Sequence, residues 1–258
     1  MIDRLPALQT PGLFITGTDT GVGKTVAACA IAAALRQQQP RWRVGVCKPF
    51  SSGCRREREG LVHEDAEALA HFADCRLPLD VINPIRFTAP LAPAVAAEQQ
   101  GKPVDWPALG RALNEVDRYS DAMLVEGVGG LLVPIDPDHP KVTVLDLIVA
   151  LRLPVVVVTR AGLGTLNHTA MTVRLLHDAA CDVAGLVING YDPDDVGDDP
   201  AITTNRRWLT KMTGVPVLAV LPKADPRDVA PQHARLDAGV LEAAAMADWL
   251  ALLRRGRH

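Results

Sequence analysis

The run from Leu13 to Thr25, Leu-Phe-Ile-Thr-Gly-Thr-Asp-Thr-Gly-Val-Gly-Lys-Thr, constrains this chain more than any other segment. An apolar β-prone stretch empties into a glycine-bearing turn, and Gly-Lys-Thr then opens the alanine-rich stretch that follows. Strand, phosphate loop and helix come in the order that a nucleoside triphosphate site requires. Backbone N–H groups of such a turn, together with the helix start, make a concavity of positive potential for phosphates. Lys24 can reach the β- and γ-phosphates, and the Thr25 hydroxyl can take a place on Mg²⁺. The spacing departs from G-x-x-x-x-G-K-[ST] by one residue, because Thr18 stands where glycine is usual and Gly17 lies just before it.

Buried parallel strands read as continuous apolar runs, since helices cover both faces. Such runs recur at Leu13–Thr16, Val44–Cys47, Ala122–Val125, Val155–Thr159, Gly185–Ile188 and Val215–Val220. Helical patterns fall between them, at Thr25–Gln37, Glu64–Ala73, Trp106–Tyr119, Val144–Leu151, Thr165–Ala180 and Asn205–Met212. A last amphipathic segment covers Leu236 to Leu253. Alternation of this kind predicts an α/β fold with a mostly parallel sheet and right-handed crossovers. Two polar loops interrupt it, Phe50–Gly60 and Tyr191–Pro200. Neither divides regions of different composition, so residues 1–258 read as a single phosphate-loop domain with a short loose tail over residues 1–10.

Bulk properties remove several classes. A net charge of −3 offers no basic footprint for nucleic acid. The Arg55, Arg56 and Arg58 cluster is interleaved with glutamates and reads as a solvated loop. The five cysteines include no C-x-x-C pair, which argues against a zinc cluster or a disulfide framework and fits a reducing, cytoplasmic setting. No apolar run approaches the roughly 18 residues of a membrane span. The first residues carry Asp3, Arg4 and Pro6 without a signal-peptide core.

Ligands of open parallel sheets bind beyond the carboxyl ends of the strands. Glu126 stands there, directly after Ala122–Val125 and before Gly127-Val128-Gly129-Gly130, where phosphate-loop enzymes keep a Mg²⁺-directed carboxylate. Lys48 ends the second run; it is either a snorkelling lysine or a second cation for the phosphates, with Ser51 and Ser52 beside it. Asp65 is either a site carboxylate or one of three acids favoured by a helix start. Asn189 is either a turn residue or an amide for a base edge. The segment Ala161–Asn167 is either a second helix-start anion site or a turn capped by Thr165 or Asn167.

Four segments in register resemble the dethiobiotin synthetase family: Gly17–Thr25, Cys47-Lys48-Pro49 with Ser52-Gly53, Val125–Gly130, and Leu163–His168. The displaced glycine of the phosphate loop is part of that family's pattern. The resemblance implies a phosphate-loop NTPase-like, seven-stranded, mostly parallel sheet, a homodimer, and ATP-dependent conversion of 7,8-diaminononanoate and CO2 to dethiobiotin. It implies Lys24 and Lys48 as catalytic cations and Thr25, Asp65 and Glu126 as Mg²⁺ ligands. Gly21, Val22, Gly23, Lys24, Thr25 and Val26, with Gly127, Val128 and Gly129, would bind ATP. Asn189, Gly190 and Pro222 would take the adenine side. Thr20 and Ser52 would line the diamine site, and Gly164, Thr165 and Asn167 would bind the substrate carboxylate across the subunit interface. Residues 221–229 depart from the family's adenine-side loop, and Gly21 stands where some relatives carry glutamate. The competing expectation is a dimerising switch ATPase of the partitioning or nitrogenase-reductase kind. Partitioning ATPases place a second lysine early in the loop, where this chain has Gly17, Thr18 and Asp19.

Overall fold

The computed structural model describes residues 2–58, 60–225 and 235–254, so the part of the adenine-side loop at 226–229 lies outside the described residues. Strand β1 (Gly12–Gly17) leads into α1 (Lys24–Gln38) and β2 (Val44–Cys47). Three short strands follow, β3 (Phe50–Ser51), β4 (Arg55–Glu57) and β5 (Gly60–Val62), then α2 (Glu64–Ala73), α3 (Leu79–Ile82), β6 (Ile85–Arg86), α4 (Pro93–Gln99) and α5 (Trp106–Tyr119). The alternation continues through β7 (Ala122–Glu126), α6 (Val144–Leu151), β8 (Val155–Arg160), α7 (Thr165–Asp178), β9 (Val183–Tyr191), α8 (Ala201–Thr213) and β10 (Val217–Pro222). Helices α9 (Ala238–Ala245) and α10 (Trp249–Leu253) close the described chain. No helix among the described residues is long and apolar enough to cross a membrane.

Six strands form one sheet in the order β10–β9–β8–β1–β7–β2, with every neighbouring pair parallel. Each grows from one of the six apolar runs. The seventh strand implied by the family pattern has no place in this sheet among the described residues. Successive side chains along a strand face opposite sides. Leu13 and Ile15 of β1 accordingly enter one apolar layer, with α1, α2, α9 and α10, while Phe14 enters the other, with α5, α6, α7 and α8. Burial on both faces explains why β1 reads as an unbroken apolar run.

The loop after β1 leads toward β2 on one side, whereas that after neighbouring β8 leads toward β9 on the other. This divergence is a topological switch point, and it opens a crevice at the carboxyl ends of the strands.

Three expectations change. Residues 2–10 are not loose: the Asp117 carboxylate accepts the Gln9 and Thr10 N–H groups at 3.0 and 2.8 Å, and Ile2, Leu5 and Leu8 pack on the second layer. The polar loop at 50–60 holds β3, paired with β6, and β4, paired with β5; both pairings are too short to leave a periodic signal. The last amphipathic segment breaks in two, because the Asp248 side chain caps α10 by accepting the Ala251 N–H at 3.0 Å.

Candidate active site

A cleft of about 600 Å³ lies at the carboxyl ends of β1, β2, β7 and β9. Its floor is the phosphate loop. Gly23, at φ +86, is the N-cap of α1, and no side chain caps the helix. The first N–H groups of α1 are therefore left for an external acceptor. A Cβ at residue 23 would fall 2.0 Å from Asn189 Nδ2, so glycine is needed for both conformation and space. Lys24 curls back over the loop and donates from Nζ to the Asp19 carbonyl at 2.9 Å. Burial lowers its pKa to about 8, with Glu126 opposing that shift and Lys48 adding to it.

Opposite the loop, three acidic and basic groups meet. The Lys48 ammonium lies 2.6 Å from Glu126 Oε1 and also donates to Asp65 Oδ2. The Thr25 hydroxyl donates to the same Glu126 oxygen at 2.9 Å. Burial disfavours charge on Lys48, but the two carboxylates and their hydrogen bonds more than offset this, and its pKa is raised. Burial would also raise Asp65; the Lys48 charge, the neighbouring His63 and the hydrogen bond from Lys48 reverse that, holding it below the usual carboxylate range. Glu126, 1% exposed, is pushed up by burial and by the Asp65 charge despite Lys48.

This donor set fits Mg²⁺. Thr25, Asp65 and Glu126 present hard oxygen ligands, and Mg²⁺ takes one or two carboxylates together with substrate phosphates. Glu126 Oε2 is buried without a hydrogen-bond partner among the described residues, an acceptor still unused.

The structure brings Thr20, Gly21, Gly23, Lys24, Thr25, Val26, Lys48, Ser52, Asp65, Glu126, Gly127, Val128, Gly129, Asn189 and Gly190 to this cleft. Val22 is buried beneath the loop, and its carbonyl accepts from Asn189 Nδ2 at 3.2 Å. Asn189 Oδ1 is buried and unpartnered among the described residues. Pro222 ends β10 just short of the cleft, while Lys223 and Ala224 border it.

Gly164, Thr165 and Asn167 do not border this cleft. The Thr165 hydroxyl is buried and hydrogen-bonded to Thr159 Oγ1 at 2.6 Å. Neither Thr165 nor Asn167 caps α7; Gly164, at φ +89, is its N-cap, and the helix start carries no side-chain cap.

Two residues at the site escaped the sequence reading. His63 is the N-cap of α2, its Nδ1 accepting the Asp65 N–H at 3.2 Å. Its position just before the acid run Glu64-Asp65 was the available signal, but histidine is not a usual N-cap. Asn83, 1% exposed, donates from Nδ2 to the Lys48 carbonyl at 2.6 Å. Only its place before Pro84 marked it, and an Asn-Pro pair signals no more than a turn.

Residues 11–229 match the family model described as an AAA domain. The chain is 43% identical to the ATP-dependent dethiobiotin synthetase BioD of Anaeromyxobacter sp. (strain K) over 211 residues, covering 82% of this chain and 89% of that protein. It is 37% identical to the ATP-dependent dethiobiotin synthetase BioD of Bacillus subtilis (strain 168) over 212 residues, covering 82% and 87%. Among solved structures it is similar to the MinC:MinD cell division protein complex of Aquifex aeolicus, at a TM-score of 0.54, 14% identity and 95% coverage of both chains. The septum site-determining protein MinD with Mg-ADP from Pyrococcus horikoshii OT3 gives 0.52, 16% and 96% of both chains. At such identities these two share the fold alone. The curated relatives match over most of their own length, and on that ground the chain belongs to the ATP-dependent dethiobiotin synthetase family.

Proposed function

We propose that this chain converts 7,8-diaminononanoate and CO2 to dethiobiotin with cleavage of ATP, a step of biotin biosynthesis. The observation that carries the reading is the meeting of Lys48 with Asp65 and Glu126 across from Lys24 and Thr25 of the phosphate loop. Family membership supplies the substrate.

The reaction suits these residues. One substrate amine adds to CO2, losing a proton, and gives a carbamate. A carbamate oxygen attacks the γ-phosphorus, the bond to the ADP oxygen breaks, and a carbamic–phosphoric anhydride forms. The neighbouring amine then attacks the carbonyl carbon and expels phosphate, and loss of its proton leaves the cyclic urea. Phosphoryl transfer of this kind needs positioning and neutralisation of spreading charge rather than a protein nucleophile. Lys24 and Lys48 address the transferring group from two sides, and the uncapped α1 start takes the other phosphates. A triphosphate beside Lys24 favours its protonated form, opposing the effect of burial. Thr25, Asp65 and Glu126 would hold Mg²⁺, which neutralises phosphate charge when bound.

Thr20 and Ser52 border the cleft beside the lysines and suit the diamine end. Asn189 and Gly190, on the opposite wall, suit the base. Gly164, Thr165 and Asn167 lie away from their own cleft; exposed Leu163 precedes that helix start, and exposed Met171 lies further along α7. A homodimer that apposes this helix start to the partner's cleft would let its backbone N–H groups take the substrate carboxylate.

The test is incubation with the diamine, bicarbonate, Mg²⁺ and ATP, with the cyclic urea read by mass. Product dependent on all four is expected. ATP hydrolysis indifferent to the diamine, with no cyclic urea, would replace this reading with that of a switch ATPase.

A further inference from the structure

The ammonium of Lys48 is placed by Asp65 and Glu126, but its backbone is placed by something else. Lys48 is the first residue past β2, where the sheet no longer holds the chain. Its N–H donates to the Ile82 carbonyl at 2.7 Å, and its carbonyl accepts from Asn83 Nδ2 at 2.6 Å. Both backbone polar groups of this one residue are thus tied to the turn that ends α3.

The Asn83 side chain makes its hydrogen bond through Nδ2, and its Oδ1 is buried without a partner among the described residues. Asn83 is the C-cap of α3, its own N–H is spent on the Leu79 carbonyl at 2.9 Å, and its side chain is 1% exposed. The residues flanking the contact, Pro49 and Pro84, have no N–H, so neither can supply the donor that the Lys48 carbonyl needs. A buried carbonyl left without a donor carries the full penalty of its lost hydration. Beyond the turn, the pairing of β3 with β6 continues the same attachment, the Ile85 N–H reaching the Pro49 carbonyl at 3.2 Å. The Asn83 amide is the side-chain link in this run and lies at the lysine itself.

We propose that Asn83 is a positioning residue for phosphoryl transfer: its amide fixes the Lys48 backbone so that the ammonium meets the cleft at the height of Asp65 and Glu126. The inference rests on the reaction proposed above, in which Lys48 addresses the transferring group. Asn83 touches no substrate; it acts through Lys48.

The test compares wild type, Asn83→Ala and Asn83→Leu, each also in a Lys48→Ala background. Leucine refills the volume without a donor, so it keeps the test decisive if the alanine variant fails to fold. Cyclic-urea formation is expected to fall about 10- to 100-fold in kcat, the effect of a small misplacement, with KM for ATP nearly unchanged. Both substitutions are expected to add nothing once Lys48 is alanine. The ammonium resonance of Lys48, read by ¹⁵N NMR of lysine-labelled protein without substrates, is expected to move in both variants. An unmoved resonance, an unchanged kcat, or equal losses with and without Lys48 would overturn the role. Wild type that makes no cyclic urea would sink the proposed reaction instead, and the resonance alone would then decide the positioning.

Discussion

Lys48 Nζ has two carboxylates within hydrogen-bond reach, whereas Lys24 Nζ has one backbone carbonyl. In the proposed reaction the first arrangement holds charge where a phosphoryl group passes; the second stores a cation at a cost that a phosphate would relieve. Lys48→Met is therefore expected to lower kcat about 100- to 1000-fold, the scale for removing one preorganised transition-state donor. Steady-state formation of the cyclic urea, with nucleotide affinity as control, checks it. For Lys24 the expected outcome is on stability without nucleotide or Mg²⁺. Its folded pKa of about 8 lies below the unfolded value of 10.5, so the unfolded chain binds more protons between the two and stability rises with pH across that window. The penalty is complete below about pH 8. Lys24→Met removes it, and its stability gain over wild type should shrink by about 2 kcal/mol between pH 7 and 9.5. Urea titrations of both proteins at the two pH values measure this, and a gap independent of pH would refute the buried charge. The place of Lys24, Thr25 and Glu126 at the cleft was legible because each follows a strand or opens a helix within a recognisable local pattern. Asn83 and His63 were not, since their work is set by contacts with Lys48 and Asp65 that only the folded chain creates.

Two kinds of helix start stand out at the next scale, apart from α6 with its Thr143–Asp146 capping box and from α3, α4 and α8, which start uncapped after proline or alanine. Helices α2, α5, α9 and α10 have side-chain caps from His63, Asp105, Asp237 and Asp248. Helices α1 and α7 begin after a left-handed glycine with no side-chain cap. A side-chain cap takes up one of the free N–H groups at a helix start; a start without one leaves that group to water or to a ligand. The two glycines make separable predictions. Around Gly164 a Cβ meets nothing within 4 Å, so Gly164→Ala is expected to cost about 1–2 kcal/mol from backbone strain alone and leave nucleotide binding intact. At Gly23 the same strain is joined by collision with Asn189, and Gly23→Ala is expected to lose the thermal shift given by ATP. Equal nucleotide affinity in the two variants would contradict the assignment of the α1 start to phosphate. Elements buried on both faces were readable for the reason that governs their composition: β1, β7 and β8 admit little except apolar side chains. Helix α4 was missed because Pro93–Gln99 is short and alanine-rich, with no polar face to give it a period. The pairings of β3 with β6 and β4 with β5 span two and three residues, below the length at which alternation is visible.

At the scale of the molecule, one sheet serves two apolar layers, and every strand between the two edges contributes side chains to both. Neither layer has a separate sheet on which to persist, which supports the reading of one domain even at 258 residues, above the size where two-state unfolding is the rule. The chain contains its own reporters. Trp106 is buried in the layer of α5–α8 and donates to Asp136 at 2.8 Å; Trp249 is buried in the layer of α1 and α2 and donates to the Ala244 carbonyl at 2.7 Å. Two variants, each retaining one of these tryptophans with phenylalanine at the other three tryptophan positions, would report on opposite faces of the sheet. Some loss of stability is expected in the variant lacking Trp106, because a buried Asp136 oxygen loses its donor. Within each variant, however, tryptophan fluorescence and far-ultraviolet circular dichroism should give the same urea midpoint. If the layers were independent units, fluorescence would follow one of them while circular dichroism averaged both, and the midpoints would separate. A separation in either variant would divide the chain into two folding units and place the candidate active site, whose residues come from α1, the end of β2, α2 and β7, at their boundary.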